Sequence, residues 1–182
     1  MRLPRRPMTI GTVAFLVVTV FVSAQPILAV ERFKLGDGRV SFIPPAGFKQ
    51  LTKEEIAKKY FRGNPPQYVF GNETLSVNVA VTFSNANVSS EQLPEYKEAM
   101  EELLPRLIPG LKWLKRELIE IDGRKWCHFE LTSYALDTDI HNHLYSTSLD
   151  GKVLTFGFNS TVREYPQVKE NLEESFRSIR IE

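Results

Sequence analysis

One cysteine, Cys127, is present in 182 residues. That scarcity excludes an intramolecular disulfide and any zinc site built mainly from thiolates. A basic excess is missing as well. Lys and Arg number 23 against 22 Asp and Glu, whereas a general nucleic-acid binder carries a marked positive surplus. The chain has no Gly-x-Ser-x-Gly elbow, and Leu35-Gly-Asp-Gly38 is a turn without the spacing or the following Lys-Ser/Thr of a phosphate loop. No cofactor motif, internal repeat or low-complexity tract is found. With 42% hydrophobic and 25% charged residues, the composition is that of an ordinary globular chain, which excludes wholesale disorder and a multi-span membrane protein.

Residues 1–29 differ from the rest. They hold Arg2, Arg5 and Arg6, no acid, and an apolar run from Thr9 to Ala24. Val22-Ser23-Ala24 and Ile27-Leu28-Ala29 both fit the small-residue pattern read by a signal peptidase. Residues 1–29 therefore read as a secretory signal peptide, with an uncleaved N-terminal anchor over residues 9–24 as the alternative. Gln25 and Pro26 suit a cleavage region better than the end of a span. No Cys follows the run, which argues against a lipid anchor. Without the three leader arginines, 20 Lys and Arg remain against 22 acids, so the mature chain is slightly acidic. Residues 30–182 form one domain of common size, expected to be monomeric and exported to a periplasmic or extracellular space. Any membrane contact is expected only through an uncleaved N-terminus.

Patterning within this domain predicts a strand at Val40–Ile43. A helix follows Leu51, where Thr52 and Glu55 have capping-box spacing and Leu51 can staple onto Ile56. Strands are expected near Gln67–Phe70 and Leu75–Phe83, the second alternating cleanly. A helix with spine Tyr96, Met100, Leu103 and Leu107 comes next, limited by Pro105 and Pro109-Gly110. Four strands and a closing helix from Tyr165-Pro166, with Val168, Leu172, Phe176 and Ile179 on one edge, complete the order. Strands adjacent to strands imply an α+β fold: a central antiparallel sheet of about six to seven strands with helices on both faces.

Two Asp-Gly turns set a register for the four strands. A tight turn at Asp122-Gly123 pairs Leu118 with Cys127, Glu117 with His128, and Leu114 with Leu131. A second at Asp150-Gly151 pairs Tyr145 with Phe156, His143 with Phe158, and Thr147 with Leu154. A short turn at Leu136-Asp137-Thr138 would pair Leu131 with His143 and Phe129 with Tyr145. One face then carries Leu114, Leu118, Cys127, Phe129, Leu131, Tyr145, Leu154, Phe156 and Phe158.

Asp139, His141 and His143 alternate along one expected strand and so share a face, which makes them the candidate metal ligands. The same register sends His128 with Glu117 to the opposite face and sets His143 beside Leu131 and Phe158. A structural His is the competing reading. Trp126 opposite Ile119 is a candidate interaction patch, with a covering helix as the favoured alternative. No catalytic residue is nominated, because Cys127 is expected in the core, where a thiol is inert.

Phe42-Ile-Pro-Pro-Ala-Gly-Phe48, the alternating strand and following helix, the two Asp-Gly hairpins with Leu149-Asp-Gly-Lys-Val-Leu-Thr-Phe156, and the closing Ser175-Phe-Arg-Ser-Ile-Arg-Ile181 together resemble the PsbP-like superfamily. That superfamily groups an extrinsic photosystem II subunit with DcrB-like bacterial envelope proteins. The resemblance covers Val40 to Ile181 and implies a sheet sandwiched by helices in a non-catalytic accessory or binding protein. The expected function is thus an exported non-enzymatic binding or accessory protein of the cell envelope, with an envelope protein as its partner. A small metal- or ligand-binding protein and an immunity protein against a secreted toxin are the alternatives.

Overall fold

The computed structural model describes residues 31–61, 63–135 and 138–182. The leader expected at 1–29 lies outside them, as do Arg62 and the Leu136-Asp137 part of the expected middle turn. In chain order the elements are β1 (Phe33–Leu35), β2 (Val40–Phe42), β3 (Lys49–Gln50), α1 (Lys53–Lys59), β4 (Tyr68–Gly71) and β5 (Asn78–Asn87). Then come α2 (Leu93–Leu107), β6 (Lys112–Ile121), β7 (Arg124–Tyr134), β8 (Asp139–Leu149), β9 (Lys152–Thr161), α3 (Tyr165–Arg177) and β10 (Arg180–Ile181). Among the described residues no helix is long and apolar enough to cross a membrane.

A seven-stranded antiparallel sheet runs β3-β4-β5-β9-β8-β7-β6, and a small sheet runs β1-β2-β10. The fold is α+β, as the patterning implies. The capping box and the two Asp-Gly turns are in place, while the strand expected from Leu75 begins at Asn78, with Leu75 in a turn at positive φ. Thr52 and Glu55 form the reciprocal capping box at α1, and Leu51 and Ile56 are buried together with Val69. Asp122-Gly123 and Asp150-Gly151 take positive φ at both residues, the geometry of a two-residue hairpin turn matched to strand twist.

The helices divide between the two faces. α2 lays Leu93 and Leu104 over Cys127 and Phe129, with Tyr96, Met100 and Trp113 around them. Its inward edge is therefore Leu93, Tyr96, Met100 and Leu104, and the expected spine members Leu103 and Leu107 are exposed instead. Pro105 sits inside the helix, four residues past Glu101 and in its last turn. On the other face α3 and the small sheet bring Leu172, Phe176, Ile179, Val40 and Phe42 onto Phe70, Val79, Val81, Trp126, Tyr145, Phe156 and Phe158. Phe176 stacks on Tyr145 with ring centroids 3.5 Å apart and meets Trp126 edge-on at 5.7 Å.

The two Asp-Gly hairpins pair as expected at Leu118–Cys127, Glu117–His128, Tyr145–Phe156, His143–Phe158 and Thr147–Leu154. Two expectations are corrected. First, a bulge lies between Trp113 and Lys115, so Trp113 rather than Leu114 faces Leu131. The extra residue turns Leu114 out to solvent and lets the Trp113 ring reach Phe129. Second, β7 and β8 pair one residue away from the expected register: Glu130 faces His143, Phe129 faces Leu144 and Leu131 faces Asn142. That single slip splits the nine-residue face. Cys127, Phe129 and Leu131 point toward α2, while Tyr145, Leu154, Phe156 and Phe158 point toward α3.

Because Phe176 is the buried α3 ring that packs on Tyr145, Trp126 and Phe158, Phe176→Ala is expected to lower unfolding free energy by about 3–5 kcal/mol. Urea denaturation followed by tryptophan fluorescence checks this, and a loss under 1 kcal/mol would show that α3 does not hold that layer together.

Candidate functional site

The corrected β7–β8 register has a chemical consequence. His128 and Glu130 on β7 now share a face with His141 and His143 on β8, and that face lies beneath α3. Successive cross-strand pairs there are Glu117–His128, His128–Tyr145, Lys115–Glu130, Glu130–His143 and His141–Ser160. All three histidines of the chain thus converge on one place. His128 and His143 are diagonal neighbours across the strand pair, close enough for their rings to meet.

A continuous hydrogen-bonded string links them. Tyr165, at the first turn of α3, has its hydroxyl 2.8 Å from His143 Nε2. His143 Nδ1 is 3.1 Å from His128 Nε2, and His128 Nδ1 is 2.9 Å from Glu117 Oε1. One proton arrangement satisfies every member: Tyr165 O–H donates to His143, His143 Nδ1–H donates to His128, and His128 Nδ1–H donates to the Glu117 carboxylate. Beside the string, His141 Nε2 donates to Glu130 Oε1 at 2.9 Å, and Lys115 approaches the other Glu130 oxygen at 3.9 Å. The rings are stacked: His141 lies 3.5 Å from the Tyr165 ring and His128 4.3 Å from the Tyr145 ring, centroid to centroid.

Burial keeps all three imidazoles below the ordinary histidine value, with His143 pushed down to about 4. For Glu130 burial acts upward, but attraction to His143, the hydrogen bond from His141 and the Lys115 charge together outweigh it and leave the carboxyl below its usual range. Burial likewise raises the Tyr165 phenol to about 12, so it remains a proton donor at neutral pH. A groove of about 360 Å³ opens onto this cluster. Its rim carries Lys169, Glu173 and Arg177 of α3, and Glu173 pairs with Arg177 at 3.1 Å.

One ligand atom from each of His128, Glu130 and His143 lies within 4.8 Å of the others. This is a different set from the Asp139, His141 and His143 expected from alternation. Asp139 is exposed at the open end of β8, and four residue steps along the strand set it about 13 Å from His143, too far for a shared ion. His141 turns its Nε2 to Glu130. His128, expected on the opposite face, is the missing member. The signal was present as His128-x-Glu130 and His141-x-His143 at matching parity, but it becomes visible only once the strands are correctly paired.

The second candidate, Trp126 with Ile119, is a cross-strand pair as expected. Trp126 is only 3% exposed and packs on Phe156 and Phe176 beneath α3. It belongs to the core and not to an open surface. Cys127 is buried too. Its thiol points at the Leu93 carbonyl at 3.4 Å, and desolvation pushes its pKa up to about 12, so no thiolate nucleophile forms.

No protein-family model matches the chain, and no curated protein matches it in sequence. Solved structures do match its shape. The solution structure of cyanobacterial PsbP (CyanoP) from Synechocystis superposes with a TM-score of 0.57 at 15% identity, covering 89% of this chain and 99% of that one. LpqN of Mycobacterium tuberculosis, described as involved in cell envelope biogenesis, gives 0.54 at 8% identity, covering 83% and 89%. PA94 of Pseudomonas aeruginosa, a protein of unknown function and putative regulator, gives 0.50 at 12% identity, covering 81% and 94%. At such identities the likeness establishes the fold, which is PsbP-like.

The titration of the cluster predicts a pH dependence of stability for the metal-free chain. An unfolded His143 titrates near 6.5 and the folded one near 4, so on acidification the unfolded state takes up the proton first. Stability from this group is complete above about pH 6.5 and is lost as pH falls toward 4, by up to about 3 kcal/mol. His128, His141, Glu130 and Lys115 face the same ring and shape the curve. In EDTA, the melting temperature should fall between pH 7 and 4, and His143→Asn should flatten that slope. An unchanged slope in the variant would mean His143 does not titrate in this way.

Proposed function

We propose that the chain is an exported, non-enzymatic accessory protein of the cell envelope that acts by binding a protein partner. The observation that carries this reading is a PsbP-like domain preceded by a basic and then apolar leader. Two of its structural neighbours, a cyanobacterial PsbP and a protein involved in cell envelope biogenesis, agree with such a role. The side-chain chemistry supports binding over reaction. The four histidine side-chain hydrogen bonds found among the described residues go to carboxylates, to another imidazole and to the Tyr165 phenol; none sets a base against a serine, threonine or cysteine, and burial keeps the phenol protonated. The low-thiolate Cys127 agrees with this.

Export is testable directly. Residues 1–29 fused ahead of a leaderless alkaline phosphatase should give active enzyme outside the cytoplasm of a bacterial host, and Arg2, Arg5 and Arg6→Glu together should abolish it. Mass spectrometry of the full chain from that compartment should find a start at Gln25 or Val30. In native envelope extracts the processed chain should elute ahead of the free monomer on size exclusion. Phosphatase activity confined to the cytoplasm would overturn export, and elution only as a monomer would overturn the partner.

A further inference from the structure

We propose that His128, Glu130 and His143 form a binding site for one divalent transition-metal ion of the zinc type, open to the groove beneath α3. This inference is independent of export and of any protein partner.

The spacing of the ring nitrogens is the first support. Two nitrogens each about 2.05 Å from a tetrahedral ion stand about 3.3–3.4 Å apart. His128 Nε2 and His143 Nδ1 are 3.1 Å apart, so an opening of a few tenths of an ångström, with the two rings turning until both lone pairs meet at one point, admits an ion. The Glu130 carboxylate is within 4.8 Å of both rings and needs only to rotate inward. Imidazole nitrogens with one carboxylate are a donor set suited to zinc and its neighbours in the first transition row.

The second support is the set of partners that hold each ligand from behind. Glu117 fixes His128 through Nδ1, Tyr165 fixes His143 through Nε2, and His141 fixes the Glu130 carboxylate. An outer carboxylate or hydroxyl on the far nitrogen of each ligating imidazole sets its tautomer and direction, the recurrent arrangement behind metal-binding histidines.

The proton account closes without loss from either ring. His128 keeps its Nδ1 proton on Glu117 and offers Nε2. His143 moves its proton from Nδ1 to Nε2, where it donates to the Tyr165 oxygen, and so frees Nδ1 for the ion. Both rings are neutral at neutral pH, as ligation requires. Lys115, the nearest opposing cation, is more than half exposed and reaches Glu130 only at 3.9 Å, so it can swing into solvent as the ion takes its place. Three protein ligands leave a fourth position facing the groove, where water or a donor atom from another molecule can bind.

The test uses the full chain, purified and stripped with a chelator, with CoCl2 and then ZnCl2 as probes. One equivalent of Co2+ should give the intense visible bands of a four-coordinate centre, and one equivalent of Zn2+ should abolish them with a Kd on the order of 1 µM or tighter. His143→Asn and Glu130→Gln should each weaken binding by more than about 100-fold. Glu117→Gln, a change at a half-exposed side chain that leaves the core intact, should weaken it by about 10- to 100-fold. Asp139→Asn should leave it unchanged. The site is refuted if no stoichiometric binding occurs, if cobalt gives only the pale spectrum of six-coordinate surface sites, or if Glu117→Gln has no effect. A folding defect in the two ligand variants does not blunt the test, because the wild-type spectrum and the Glu117 variant decide it alone.

Discussion

Burial of the central strands on both faces is the constraint from which most of this molecule follows. β7, β8 and β9 are interior strands of a seven-stranded sheet, with α2 on one side and α3 and the small sheet on the other. Half of their residues would face water in a one-sided sheet. Here both halves are enclosed, and the polar members must satisfy one another. Thr147 bonds to the Lys125 carbonyl, Ser146 to Thr155, and Ser148 to the Val88 carbonyl. His128, Glu130, His141 and His143 meet the same demand collectively, because a single buried imidazole or carboxylate without a partner would be costly.

The same constraint sets what could be read from the residues alone. Local devices were legible because their chemistry is local: the Thr52–Glu55 box, the two Asp-Gly turns, and the four-residue stepping of Leu172 and Phe176. The α+β class followed from element order. The β7–β8 register did not. Register is normally betrayed by the alternation of apolar and polar residues, yet from Trp126 to Leu131 every residue of β7 is buried, so a slip of one leaves an equally plausible core. Sorting every large apolar side chain onto one face was the reasonable error, and it placed His128 on the wrong side. The bulge at Leu114 has a similar cause, since what it gains, Trp113 on Phe129, is a contact between strands that no local pattern announces.

α3 joins stability to the site. Phe176 seals the aromatic layer, Tyr165 closes the hydrogen-bonded string at His143, and Lys169, Glu173 and Arg177 edge the groove. Stacked rings from Phe176 through Tyr145 to His128, and from Tyr165 to His141, leave those side chains little rotational freedom. A cluster held this way is preorganised: the cost of ordering its side chains has been met on folding and not on binding.

The small sheet has a consequence for how the chain comes to be folded. Ser41 of β2 pairs with Arg180 of β10, and Ile43 exchanges hydrogen bonds with Ser175 and Ser178, 132 and 135 residues away. At 5–20 residues per second, a ribosome takes roughly 7–28 s to span such an interval. Throughout that time Val40 and Phe42 have neither β10 nor α3 to cover them, and the loop that must close is nearly the length of the domain. The small sheet therefore cannot close until synthesis has passed Ile181, and its last member is a strand only two residues long.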